Sequence, residues 1–153
     1  ETDPTNSGVE LGTDGTVWIA CVNPVVVDGQ PVRLEDSAIA EPAGSFVMRY
    51  DGSEWQRWGP DDGVPLLTWS GPQLEQAPDG GLWIVVRSGS LFMPEGTDAA
   101  PFAGIARFDG STWRFFLSGH EVSDWDVAPD GSVWLRADGA LYAITPEAVA
   151  GTE

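Results

Sequence analysis

The chain has 153 residues, enough for one domain that buries a sizeable core. A hydrophobic share of 42% with eight tryptophans excludes a disordered chain, and no stretch approaches the roughly 20 apolar residues of a membrane-spanning helix. The formal net charge is −17, from 24 acidic residues against seven arginines and no lysine. A field of that sign repels phosphate groups, which disfavours nucleic acid and anionic lipid as partners.

Two short phrases recur along the chain in a fixed order. The phrase Asp-Gly-x-x-Trp occurs at residues 14–18, 79–83 and 130–134, and Asp-Gly-Ser-x-Trp occurs at 51–55 and 109–113. Asp-Gly between short alternating runs is a strong hairpin signal, because both residues tolerate the positive φ of a tight turn. The chain is therefore expected to consist of repeated hairpins.

The apolar residues between these turns repeat with period two, which is typical of strands. The pattern predicts strands A to D at 9–12, 16–22, 45–50 and 53–58, then at 73–77, 81–87, 104–108 and 111–117, and strands A to C at 123–128, 132–137 and 140–145. An extra hairpin is expected around Asp28 and Gly29, from 25–27 and 32–34, and a single helical turn at 146–150.

Four short antiparallel strands per repeat, with a tryptophan in the same place, predict a β-propeller blade. The predicted fold is all-β: one propeller-like domain over residues 1–153, with blades at about 8–58, 72–117 and 123–145 and the third incomplete. Each blade must bury both faces of its sheet, so Trp18, Trp83 and Trp134 are expected between blades. Trp55 and Trp113 are also expected in the core.

The stretch WQRWGPDDGVP at 55–65, followed by LEQAPDGGLW at 74–83, resembles the two-component-regulator propeller repeat. The resemblance covers all three units. It implies a multi-bladed propeller of the kind found in extracytoplasmic sensor parts of bacterial signalling proteins, with an extracellular, periplasmic or cell-surface location. The family carries no shared catalytic residue, so the resemblance implies none here.

Three blades do not close a ring, because propellers typically have four to eight. The open ends predict association with further blades, either from a second copy in a homo-oligomer or from a longer chain. No segment of this chain is expected to insert into a membrane.

The expected binding surface is the rim that carries the long connections between strands B and C and between strands D and A. Long loops on one side of a rigid scaffold are where binding usually resides. The candidate residues there are Asp28, Arg33, Glu35, Asp61, Asp62, Trp69, Phe92, Glu95, His120 and Glu121. The carboxylates leave calcium open as a ligand, and no other cofactor and no catalytic residue is predicted.

The function expected from these features is a non-catalytic recognition or sensor module. A structural spacer or assembly unit stays open as an alternative, and so do two functions with a specific chemistry. One is a propeller enzyme, a lyase or a glycoside-acting enzyme, with the carboxylates of Glu10, Glu75, Asp124 and Asp126 at the central channel. The other is a sugar-binding lectin formed by oligomerised blades.

Overall fold

The computed structural model describes residues 7–22, 26–27, 30–31, 45–65, 72–87 and 103–151. This part of the chain is nearly all β and forms three antiparallel sheets of four, four and three strands. Their strand orders are β1-β2-β5-β6, β7-β8-β9-β10 and β11-β12-β13. The architecture is that of a partial propeller of three blades, here called blades 1, 2 and 3, and it confirms the predicted fold class.

The strands follow the predicted repeats closely. Blade 1 contains β1 (Ser7–Leu11), β2 (Val17–Val22), β5 (Ser45–Tyr50) and β6 (Trp55–Trp58). Blade 2 contains β7 (Gln73–Gln76), β8 (Leu82–Val86), β9 (Gly104–Phe108) and β10 (Trp113–Phe116). Blade 3 contains β11 (Val122–Val127), β12 (Val133–Ala137) and β13 (Ala140–Ile144).

The smaller elements lie between or after the blades. The short strands β3 (Val26–Val27) and β4 (Gln30–Pro31) pair around residues 28–29 and confirm the extra hairpin, with its second strand earlier than predicted. A short 3-10 helix (Pro60–Asp62) follows blade 1. The predicted helical turn is α1 (Pro146–Ala150), whose Thr145 hydroxyl accepts the N–H of Ala148 at 3.3 Å.

The hydrophobic core lies between the blades. We call the face of each blade that carries its repeated tryptophan (Trp18, Trp83 or Trp134) the front face and the opposite face the back face. One buried cluster joins the front face of blade 1 to the back face of blade 2: Trp18, Ala20, Val47, Val64, Leu82, Ile84, Val86, Ala106, Phe108 and Trp113. A second joins the front of blade 2 to the back of blade 3: Ala77, Trp83, Val85, Ile105, Val122, Val133, Leu135, Ala137 and Ile144.

The predictions for the five repeated tryptophans are confirmed where a neighbouring blade covers the side chain and are wrong where none does. Trp18, Trp83 and Trp113 are buried, as predicted. The predictions for Trp134 and Trp55 are wrong, since these side chains are 51% and 50% exposed. Trp134 lies on the front face of blade 3 and Trp55 on the back face of blade 1, and no blade of the described chain packs against either face.

Trp83 carries the interface between blades 2 and 3, and its loss should destabilise the fold strongly. We expect Trp83→Ala to lower the free energy of unfolding by about 3–5 kcal/mol, because a fully buried ring leaves a large cavity. Phe115→Ala removes a ring that is 46% exposed on β10, so it should cost less than about 1 kcal/mol. Urea unfolding followed by circular dichroism measures both values, and equal losses would contradict the proposed core.

Candidate functional site

The antiparallel strand order places the connections of each blade on two opposite rims. The turn rim carries the connections between β1 and β2, β5 and β6, β7 and β8, β9 and β10, and β11 and β12. The loop rim carries residues 23–44, 59–72, 87–103, 117–121 and 138–139. In sequence, the predicted binding residues belong to the connections that begin and end on the loop rim.

On the turn rim, each repeated aspartate accepts a hydrogen bond from a backbone N–H of its own turn. One carboxylate oxygen of Asp51 accepts the backbone N–H of Ser53 and of Glu54 at 2.9 and 3.0 Å, and the Ser53 hydroxyl at 2.8 Å. These bonds, the one from the Glu54 N–H above all, lower the pKa of Asp51 to about 2. Asp14, Asp79, Asp109 and Asp130 accept the equivalent N–H groups of their turns. The recurring Asp-Gly phrase is thus explained by turn chemistry.

A cavity of about 360 Å³ opens on the turn rim at the seam between blades 2 and 3, where α1 lies. Its buried Arg107 pairs with Asp79 and lies over the Trp83 ring, 5.7 Å from the centroid. Arg114 donates to the carbonyl of Val149 in α1. Both guanidinium groups are engaged within the protein, so the cavity is a structural seam.

The sequence reasoning missed this seam, although one signal was present. The second Asp-Gly phrase continues with Gly81, where the other two have Thr16 and Ser132. A Cβ at Gly81 would lie 2.6 Å from an Arg107 Nη atom, so only glycine leaves Arg107 its path to Asp79. No comparable feature of the sequence predicts that α1 lies over the seam.

On the loop rim, the structure describes four of the ten predicted binding residues. Asp61 and Asp62 belong to the 3-10 helix after blade 1, and both are exposed. Asp62 has a structural role, because its carboxylate accepts the backbone N–H of Gly59 at 2.8 Å. The six remaining residues lie outside the described ranges: Asp28, Arg33, Glu35, Trp69, Phe92 and Glu95.

His120 and Glu121 meet Asp138, which the sequence reasoning did not single out. The His120 Nδ1 atom lies 2.7 Å from one Asp138 carboxylate oxygen, and the Glu121 backbone N–H donates to the other at 3.1 Å. The bond to His120, followed by that from Glu121, lowers the pKa of Asp138. Asp138 and Gly139 have φ values of 48° and 81° and connect β12 to β13 in two residues. This group ties the two loop-rim connections of blade 3 together.

The inner strands carry a row of equivalent carboxylates. Glu10, Glu75 and Asp126 each pair in register with the repeated tryptophan of their blade. Glu10 accepts the backbone N–H of Gln76 at 3.4 Å, and Glu75 accepts that of Val127 at 3.3 Å. Each of these two carboxylates therefore reaches across to the inner strand of the next blade.

The environment of Glu75 differs from that of an ordinary surface carboxylate. Burial raises its pKa, the Val127 N–H opposes the shift, and the charges of Asp126 and Glu10 add to it. The raised pKa therefore follows from the position of Glu75 in the blade interface, and it does not require a catalytic role.

Among the described residues, no group of three or more His, Cys, Asp or Glu side chains is arranged to hold a metal ion. Within the same ranges, no helix has the length and apolar character needed to cross a membrane. No protein-family model matches the sequence, and no curated protein matches it.

The raised pKa of Glu75 predicts a pH-dependent effect of its replacement. A carboxyl whose folded pKa lies above its unfolded value stabilises the fold below about pH 4.5, and this contribution is lost as the pH rises through the folded pKa. Gln mimics the protonated acid, so Glu75→Gln should raise the melting temperature at pH 7 and leave it almost unchanged at pH 4.

Glu147→Gln provides a control of opposite sign. The pKa of Glu147 is lowered, by its own backbone N–H first and then by Thr145 at the start of α1, so its charged form stabilises the fold above about pH 4.5. This variant should lower the melting temperature at pH 7. Calorimetry of both variants at pH 4 and pH 7 measures these shifts in melting temperature. A lower melting temperature of Glu75→Gln at pH 7 would refute the interpretation that burial of the charged Glu75 carboxylate destabilises the fold.

Proposed function

We propose that this chain is a non-catalytic recognition or sensor module that binds a ligand or partner protein through the loop rim. The observation that carries the proposal is the two-residue connection at Asp138 and Gly139 in blade 3. The equivalent connections in blades 1 and 2 comprise residues 23–44 and 87–103, yet the fold needs only two residues there. Chain length beyond what the scaffold requires is typical of binding loops.

The turn rim supports the same assignment by contrast. Its aspartates are engaged by the N–H groups of their own turns, and the arginines of its cavity are engaged by Asp79 and Val149. The loop rim contributes the exposed carboxylate side chain of Asp61. Residues 23–44 and 87–103 add carboxylates and aromatic rings in sequence, including Glu35, Phe92 and Glu95.

The charge of the chain indicates the chemistry of the partner. With a net charge of −17, the surface attracts cationic groups and repels anionic ones. We therefore assign a basic peptide segment, free or within a partner protein, as the ligand class. The resemblance to the two-component-regulator propeller repeat supports an extracytoplasmic location in a bacterium, as a sensor part of a signalling protein.

Shortening one loop tests this function without disturbing the scaffold. Residues 23–44 are replaced by Asp-Gly, copying the connection of blade 3, since Val22 and Ser45 pair as Ala137 and Ala140 do. A random peptide display library is panned on the full chain. We expect the enriched peptides to be rich in Arg and Lys, to bind more weakly as salt rises, and to lose at least about tenfold in affinity for the shortened chain.

A variant with fewer negative charges distinguishes the effect of loop charge on peptide affinity from the effect of loop length. Glu35→Gln, Asp36→Asn and Glu41→Gln, combined in one chain, keep the length of residues 23–44 but remove three negative charges. Intermediate affinity for the basic peptides is expected. Enriched peptides that bind the shortened chain as tightly as the full chain would refute the loop rim as the site. Hits confined to a glycan array would refute the peptide assignment and favour the lectin.

A further inference from the structure

The exposed large hydrophobic side chains of the described residues are concentrated on two surfaces. Six such side chains are exposed, and only Phe115 on β10 lies elsewhere. Val9, Leu11 and Trp55 lie on the back face of blade 1, with Val9 60% and Leu11 72% exposed. Trp134 and Leu141 lie on the front face of blade 3, 51% and 71% exposed.

The open front face of blade 3 repeats the elements of the two covered front faces. Trp134 has the register position of Trp18 and Trp83, and Asp126 pairs with it as Glu10 and Glu75 pair with theirs. In both covered interfaces the tryptophan packs into the next blade, and the carboxylate accepts an N–H from the next inner strand. A hollow of about 300 Å³ lies beside Trp134, lined in part by Arg136 and Leu141.

The open back face of blade 1 repeats the elements of the two covered back faces. Val17 and Ile19 on β2 have the register positions of Leu82 and Ile84 on β8, which are fully buried against blade 1. Their partners on the inner strand, Leu11 and Val9, correspond to Gln76 and Leu74 on β7. Blades 1 and 3 therefore each present one half of an interface that the described residues already form twice.

We propose that the front face of blade 3 docks onto the back face of blade 1 of a second copy of this chain. Trp134 then packs against Val9 and Ile19 of the second copy, as Trp18 packs near Leu74 and Ile84. The Asp126 carboxylate accepts the N–H of Leu11 in the second copy, as Glu10 accepts that of Gln76.

The number of copies follows from the number of blades. The three blades of the described residues give six blades for two copies and nine for three copies, and propellers have four to eight. Two copies related by a twofold rotation bury both open faces in two equivalent interfaces, which closes the ring. The negative charge of each copy opposes this association, so screening by salt strengthens it.

Solution mass tests the proposal on the full chain. Light scattering coupled to size exclusion should give twice the 16.3 kDa of one chain in moderate salt, with dissociation favoured at low salt. Trp134→Gln should weaken dimerisation by about 100-fold or more, because a central interfacial tryptophan is lost. The double variant Val9→Gln with Leu11→Gln should weaken it comparably, and Phe115→Gln should leave it unchanged.

Mixing the two monomeric variants tests the head-to-tail arrangement. A mixed pair has one intact interface, formed by the Trp134 face of one chain and the Val9 face of the other, so an open dimer should reappear. A dimer that resists either variant, or a mixture that stays monomeric, would refute the arrangement. A wild-type chain that is monomeric at all salt concentrations would refute the second copy as the occupant. Circular dichroism of each variant verifies that the blades remain folded.

Discussion

The packing of a tryptophan from one blade into the back of the next is the interaction on which the rest of this structure depends. A four-stranded sheet has two apolar faces, and a single blade cannot bury either of them alone. Blade 2 is covered on both sides, and all five residues of its central strand Leu82–Val86 are buried. In blade 3 the equivalent strand Val133–Ala137 alternates between buried and exposed residues, because only one side is covered. Whether a strand residue is buried therefore depends on whether a neighbouring blade covers its side chain. The stability of the fold grows with the number of interfaces between blades.

The inner carboxylates complement this packing by fixing how successive blades meet. Apolar contact is non-directional and tolerates sliding, whereas a hydrogen bond from a backbone N–H to Glu10 or Glu75 is satisfied only in one register. The cost is visible at Glu75, whose pKa is raised by burial and by the charges on either side. The inner-strand carboxylates therefore fix the register in which blades meet, at a cost to the stability of the fold. This explains why acidic side chains recur beside each tryptophan on the inner strands, and it accounts for these carboxylates without a catalytic mechanism.

The sequence was sufficient for the strands and their order, because Asp-Gly turns and period-two alternation are local signals that the structure preserves. The sequence was insufficient wherever the burial or the hydrogen bonding of a side chain depends on a residue from another blade or another connection. Trp83 and Trp134 occupy the same sequence phrase, yet one is fully buried and the other half-exposed. Asp138 escaped notice because its partner His120 lies on a different connection. At the loop rim, Asp62 shows that a carboxylate chosen by its position in a connection can have a structural role.

The self-association of the chain would change the way in which its loop rim binds. In the proposed twofold ring, the loop rims of both copies would face the same side, so a basic partner with two binding segments could engage both copies at once. The second contact is then intramolecular, and its effective concentration can raise the overall affinity by about 100-fold or more without any new contact. The proposed ring would double the negative charge of the assembly, which would speed the approach of a basic partner and weaken the dimer itself. A bound cationic segment neutralises part of that charge, so ligand binding and ring closure are expected to favour each other.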